Sequence, residues 1–382
     1  MIYLDNAATS WPKPQSVYDT IIDTMHNKGG NPGRSGHKMS TKAGEVVETT
    51  RFLLGKLFNI DDCNRIVFAL NATDAINMAI NGSLNEGDHV ITSSMEHNSV
   101  ARPLEHKKQQ GVLVDKVAMD PVYGVSTQDI IDKIQDKTKL IAITHASNVT
   151  GTINPIEEIG LICKERNITF LVDASQSAGT TEIDVQKMNI DMLAFPGHKS
   201  LMGPMGTGAL YVSKNVKDIT PSRFGGTGIS SESPSQPTDF PYYMESGTQN
   251  APGLAGLSAG IEFVLAETIE KIHQKEKELT SYLIDKLEKH DNIIIYGPPK
   301  DVRRAPVVSF NIKDVDCAEV STILDSAFNI ATRPGLHCSP DAHTNLGTID
   351  IGGTVRVSPG YFTTFEEIDT FINAVFEIAD SY

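Results

Sequence analysis

Between about residues 66 and 213, short apolar runs alternate with helix-like patterns. The predicted strands are Ile66-Val67-Phe68-Ala69-Leu70, His89-Val90-Ile91-Thr92, Leu140-Ile141-Ala142-Ile143, Thr169-Phe170-Leu171-Val172, Met192-Leu193-Ala194-Phe195 and Gly208-Ala209-Leu210-Tyr211-Val212. Runs that are apolar on both faces and separated by helices predict an α/β fold, with a mostly parallel sheet covered on both sides. Several runs end in a polar residue: Asn71, Asp173 and, slightly beyond its strand, Asn148. Ligands of open α/β sheets sit at the carboxyl ends of the strands, so these residues point to one site.

The pattern changes further along. Gly225 to Tyr243 is rich in Gly, Ser and Pro, lacks periodicity and reads as a long loop or arm. From Ile261 to Leu287 the apolar spacing predicts one long amphipathic helix. Two strand-like runs follow, Ile293 to Tyr296 and Val307 to Phe310, then a helix from Ala318 to Phe328 and a last helix from Phe365 onward. This α+β pattern places a domain boundary near residue 256: a large domain over 15–255, and a small one built from 256–382 together with residues 1–14. No internal repeat is present.

Composition narrows the function classes. The 382 residues carry a formal charge of −15, with 40% hydrophobic and 21% charged residues. An acidic chain without a long Lys/Arg run disfavours nucleic acid and anionic membrane as partners. No apolar stretch reaches the roughly 18 residues of a spanning helix. The start, Met1-Ile2-Tyr3-Leu4-Asp5-Asn6, has neither the basic nor the long apolar region of a signal peptide, so a cytoplasmic location is expected. Cys63, Cys163, Cys317 and Cys338 form no C-x-x-C pair, which argues against zinc and iron–sulfur ligation, and no metal is expected. Cys163 lies in an apolar helical segment and reads as a buried hydrophobe. Cys338 has polar, glycine-bearing surroundings.

The candidate chemistry centres on Phe195-Pro196-Gly197-His198-Lys199-Ser200, downstream of Leu171-Val172-Asp173-Ala174-Ser175-Gln176. Lys199 follows Asp173 by 26 positions (199 minus 173). Pyridoxal 5′-phosphate (PLP) chemistry needs both groups: a lysine amine for the Schiff base, and a carboxylate that keeps the ring nitrogen protonated. A free lysine, with pKa about 10.4, is a poor nucleophile at neutral pH and must be shifted by burial or a nearby cation. Asn71-Ala72-Thr73-Asp74 follows a strand and opens a helix, a place where free amides and a hydroxyl can hold phosphate, although a threonine there often serves only as a cap. Glu96-His97-Asn98-Ser99 follows another strand, and its imidazole can stack on a planar ring and shuttle protons or be structural.

With these motifs in place, the chain resembles the cysteine desulfurases, in the class V aminotransferase group of fold-type I PLP enzymes. It looks closest to the second desulfurase group, of SUF-type and selenocysteine lyase-like enzymes. The likeness runs from Leu4-Asp5-Asn6-Ala7-Ala8-Thr9 to Val355-Arg356-Val357-Ser358. It implies a large domain with a mostly parallel seven-stranded sheet between helices and a smaller α+β C-terminal domain. By the same likeness Lys199 is the Schiff-base lysine, Asp173 the pyridinium partner, and His97 the ring-stacking residue. Gln176 and Asn148 would lie at the ring hydroxyl. Ala72, Thr73 and His198 would hold the phosphate. Asn6, Ala7, Asn148, Arg333 and Arg356 would surround the substrate, with Arg356 clamping its carboxylate. Glu245-Ser246-Gly247-Thr248 would send Thr248 to the phosphate of a second subunit, which implies a homodimer with shared active sites.

The remaining piece is Thr332-Arg333-Pro334-Gly335-Leu336-His337-Cys338. The likeness makes Cys338 the thiol that takes sulfur from L-cysteine as a persulfide and leaves L-alanine. His337 and Arg333 are close in sequence and are expected to favour the thiolate. The sulfur would then pass to an acceptor protein or thiol. Pro334 and Leu336 depart from the group's common Thr and His, and the segment Ser339 to Ile351 differs from the SUF-type pattern, so the sulfur acceptor stays open and L-selenocysteine or cysteine sulfinate remain alternative substrates. A class V aminotransferase would need no thiol, and a non-catalytic scaffold would need neither Lys199 nor Cys338.

Overall fold

The computed structural model describes residues 1–33 and 36–382. The central sheet runs in the spatial order Ile66–Ala69, Gly208–Val212, Met192–Pro196, Thr169–Asp173, Thr138–Thr144, His89–Ser93, Leu113–Val117. Gly208–Val212 is antiparallel to both of its neighbours, and every other pairing is parallel. Alternate residues of each strand enter different cores. Phe68, Ile91, Ile141, Phe170 and Leu193 join one buried cluster. Val67, Val90, Leu140, Leu171 and Met192 join the other. A period of two with both faces apolar produces this partition, because helices cover the sheet on each side.

The strand Leu113–Val117 has no counterpart among the sequence-predicted runs. It lies at the sheet edge with Asp115 and Lys116 inside it, and only Val117 is fully buried. Charged residues suit an edge strand, where they oppose further pairing, and they also hide its apolar pattern.

The helix expected over Ile261 to Leu287 is two helices, Ala251–Glu267 and Ile269–Leu287. Thr268 between them has φ +69°, and its hydroxyl accepts from the Lys271 amide at the start of the second helix. Residue 256, where the sequence reading ends its large domain, lies inside the first of these helices. That helix is buried along most of its length and packs on the helices Gln15–Asn27 and Lys38–Phe58. It also packs directly beneath the loop that bears Lys199. A Cβ at Gly260 would stand 2.3 Å from the Leu201 carbonyl oxygen, so only glycine permits this approach.

The C-terminal part contains a four-stranded antiparallel sheet in the order Ile293–Tyr296, Val308–Ile312, Thr354–Val357, Arg333–Gly335. Its core draws on the helices Ile269–Leu287, Cys317–Phe328 and Phe365–Ser381. The chain start belongs to the same core: Ile2–Tyr3 pairs in parallel with Ile330–Ala331, and Leu4 is fully buried there. From that anchor, Asn6 to Ser10 runs between the two parts. The Asn6 amide donates to the Ser358 carbonyl, and the Ser10 amide donates to the His198 carbonyl. Among the described residues no helix is long and apolar enough to cross a membrane.

Candidate active site

One cleft lies where the large sheet meets the C-terminal strands. Ala7, Ala72, Thr73, His97, Asn148, Asp173, Gln176, His198, Lys199, Arg333 and Arg356 all line it. Three expected residues stand elsewhere. Asn6 has its side chain committed to the backbone: Nδ2 donates to the Ser358 carbonyl at 3.0 Å, and Oδ1 accepts from the Trp11 amide at 3.1 Å. Thr248 is exposed, with its hydroxyl accepting from Asn31. Cys338 sits at the rim and is tied to the lining by Arg333, whose Nη2 donates to Sγ at 3.4 Å.

Asp173 ends its strand almost fully buried, and its Oδ1 accepts from the amide and hydroxyl of Ser175. Its Oδ2 has no partner among the described residues. Lys199 faces it from the turn after the strand Met192–Pro196. Burial, followed by the positive charges of Arg356 and Arg333, lowers the Lys199 pKa to about 8, while Asp173 and Asp5 pull the other way. The pocket itself therefore supplies the activation that the sequence reading requires of this amine.

His97 caps the helix Asn98–Gln109. Its Nδ1 accepts from the Ser99 amide at 3.0 Å, so Nε2 carries the ring proton. Burial, with Lys199, Arg333 and Arg356 nearby, brings its pKa down to about 4 against the pull of Asp173, and the ring is neutral at physiological pH. His198 is likewise lowered to about 4, mainly by burial, and its buried Nδ1 has no partner. Gln176 donates to the Ala7 carbonyl at 3.1 Å, which fastens the N-terminal segment over the cleft.

The helix Ala72–Ser83 opens toward the cleft. Asn71 caps it by accepting from the Asp74 amide, while the amides of Ala72 and Thr73 have no acceptor among the described residues. Free helix-start amides beside the Thr73 hydroxyl, an uncommitted Asp173 oxygen and an unpaired lysine form the donor set that PLP requires. The phosphate fits the first, the ring nitrogen the second and the aldehyde carbon the third.

Arg356 is 1% exposed. It donates to Asp5 Oδ1 at 2.8 Å and to the Asn148 carbonyl at 3.1 Å, and its buried Nε has no partner. The Asp5 contact was not legible as a pairing, because 351 positions separate the partners. Glu96 was also passed over. It is buried beside the strand ends and accepts from Ser93 and the Thr144 amide, and burial raises its pKa to about 8, so it is protonated at neutral pH. Its presence next to His97 in sequence was the available signal.

Of the four cysteines, Cys338 is the exposed one. Burial pushes the thiols of Cys163, Cys317 and Cys63 up, which makes them poorer nucleophiles. The expectation that His337 favours a thiolate is corrected. Its ring is buried against Thr354 and His343, and burial brings its pKa to about 2, so it brings no positive charge to Cys338. Arg333 alone of the two basic neighbours reaches the sulfur.

Residues 2–371 match the aminotransferase class-V family. The chain belongs to that family. It is 34% identical to a probable cysteine desulfurase of Methanothermobacter thermautotrophicus, an alignment covering 99% of this chain and 94% of that protein. It is 35% identical to a probable cysteine desulfurase of Halalkalibacterium halodurans, covering 97% and 91%. The apo cysteine desulfurase structure from Thermococcus onnurineus NA1 superposes with a TM-score of 0.92 at 31% identity, covering 100% of this chain and 95% of that one. Members of the class-V family depend on PLP, in agreement with the donor set of the cleft.

Proposed function

We propose that this protein is a PLP-dependent cysteine desulfurase that converts L-cysteine to L-alanine and leaves the sulfur on Cys338 as a persulfide. The observation that carries the reading is the exposed Cys338, held by Arg333 at the rim of the cleft that contains Lys199 and Asp173. PLP, when bound, supplies an electron sink for the substrate amino acid. Asp173 would offer Oδ2 to the ring nitrogen, the free amides of Ala72 and Thr73 would hold the phosphate, and the neutral His97 would supply a stacking surface for the ring. Arg356 is the carboxylate clamp, through its unspent Nε and its planar fork. Lys199, with its pKa lowered, accepts and returns protons at the substrate carbons.

Cys338 attacks the substrate sulfur as a thiolate. The new S–S bond forms as the carbon–sulfur bond breaks, the electron pair of that bond stays with the substrate carbon, and a proton completes alanine. No outside oxidant or reductant enters until the persulfide is passed on to an acceptor protein or thiol. Thr248, exposed on its own subunit, is assigned to the phosphate site of a second copy in a homodimer. The 18 positions from Cys338 to Arg356 (356 minus 338) support the second desulfurase group. The reading is tested by assaying alanine and sulfide from L-cysteine with and without thiol reductant. Alanine in both, with sulfide released only when reductant is present, supports it. Transamination to a keto acid, without alanine, refutes it.

A further inference from the structure

We propose that Ser339 is a positioning residue: with Asn148 it clamps the turn that holds Cys338 at the rim of the cleft. The inference rests on the reading of Cys338 as the sulfur-accepting thiol.

His337 and Cys338 are consecutive residues with φ +49° and +60°. A left-handed backbone is unfavourable for residues with a Cβ, and two in a row persist only when the surroundings fix them. The surroundings here are specific. Asn148 Nδ2 donates to the His337 carbonyl at 2.7 Å. The Asn98 amide donates to the Cys338 carbonyl at 2.7 Å. Ser339 Oγ donates to Asn148 Oδ1 at 2.9 Å. The Asn148 carboxamide thus bridges the residues on either side of the nucleophile.

Ser339 stands at the N-cap of the helix Pro340–Leu346, yet its side chain caps no amide of that helix. A serine in this position ordinarily turns its hydroxyl to the helix start. Instead the fully buried hydroxyl is given to Asn148. Its consequence is orientational. By donating to Oδ1, it holds the carboxamide in the flip state that presents Nδ2 to the His337 carbonyl. Asn148 also lines the cleft, and its own carbonyl accepts from Arg356. One residue therefore ties the nucleophile turn to the arginine assigned to the substrate carboxylate.

The clamp bears on sulfur transfer and not on steps that need no thiol. Cysteine sulfinate is the control substrate, since its sulfur leaves as sulfite without a thiol acceptor. In the PLP-loaded enzyme, Ser339→Ala is expected to lower kcat for L-cysteine about tenfold, the scale of one buried hydrogen bond. The KM for L-cysteine and the turnover of cysteine sulfinate are expected to stay within about twofold, because Lys199 and Arg356 are not replaced and Arg356 meets Asn148 through its backbone carbonyl, which the lost hydroxyl does not touch. Without any substrate, amides of the peptide around Cys338 are expected to exchange with deuterium about tenfold faster in Ser339→Ala than in wild type, as one restraint on that turn is lost. Wild-type kcat on L-cysteine in Ser339→Ala, an equal fall on both substrates, or unchanged exchange at the turn each overturns the clamp. Cys338→Ala, run alongside, separates the two claims: if it retains turnover of L-cysteine, the reading of Cys338 fails and takes the clamp with it.

Discussion

Arg333 and Arg356 stand directly opposite each other on neighbouring strands of the C-terminal sheet, and each is held by a different acceptor. Arg333 reaches Cys338 Sγ, and Arg356 reaches Asp5 and the Asn148 carbonyl. Like charges facing across a ladder are destabilising on their own. Here they concentrate positive potential on the cleft, which suits the carboxylate of an amino-acid substrate and adds to burial in lowering the Lys199 pKa.

The two arginines are expected to fail differently. Arg356→Ala should raise KM for L-cysteine and lower kcat/KM by the equivalent of about 2–5 kcal/mol, the loss of one side of a desolvated charge pair. Arg356→Lys should recover only part, since an ammonium lacks the planar fork. Arg333→Ala should act mainly on kcat, through Cys338. Steady-state kinetics on the three variants checks this, and an unchanged kcat/KM in Arg356→Ala would assign the carboxylate to another residue.

Lys199 gives a pH prediction. Its pKa is lowered to about 8 in the protein without cofactor. Below that value the amine is protonated and unreactive, and above it the amine is free. The rate at which cofactor-free protein takes up PLP, followed by visible absorbance, should therefore rise with pH through about 8. Arg356→Ala removes a positive charge, makes the ammonium easier to keep, and should move the midpoint upward. A downward move would show that Arg356 does not set this pKa.

Much of the large sheet was legible because strands such as Met192–Pro196 are buried at every residue and carry no competing helical period. Leu113–Val117 was not, since an edge strand needs charge where a buried one needs apolar residues. The break at Thr268 was hidden by apolar spacing that continues across it. At the site, Asp173, Lys199 and His97 stood out through their positions after strands. The Asn148 clamp did not, because its partners lie 189 and 191 positions away. Ser339 followed by Pro340 and Asp341 looks like an ordinary helix start. His337 misled for a related reason: adjacency in sequence to Cys338 says nothing of which way a ring faces in a left-handed turn.

Stability carries its own signature. Glu276 is 3% exposed on the helix Ile269–Leu287, and burial raises its pKa to about 8. A raised carboxyl pKa means that the folded state holds the proton more tightly than the unfolded chain. The associated stability is complete below the unfolded value, near 4.5, and is lost as pH rises through about 8. Glu276→Gln keeps the shape and removes the ionisation. Its Tm should exceed that of wild type at pH above about 8, with a smaller difference near pH 5. Equal effects at both pH values would contradict the assignment.

Thr248 tests the shared site. Sedimentation should show a dimer, and Thr248→Ala should weaken PLP retention because the neighbouring phosphate loses a hydroxyl donor. A mixture of Thr248→Ala and Lys199→Ala subunits should form some heterodimers with one intact site and regain part of the activity. A monomer with full activity would refute the sharing.

The central claim is that Cys338 receives the sulfur. Wild-type protein treated with L-cysteine in the absence of reductant, then digested and weighed by mass spectrometry, should carry one added sulfur atom on the peptide that contains Cys338. The Cys338→Ser protein should still bind PLP, take no sulfur and form alanine from L-cysteine only near background. Added sulfur on the peptides of Cys63, Cys163 or Cys317, or wild-type turnover of L-cysteine by Cys338→Ser, would contradict the account.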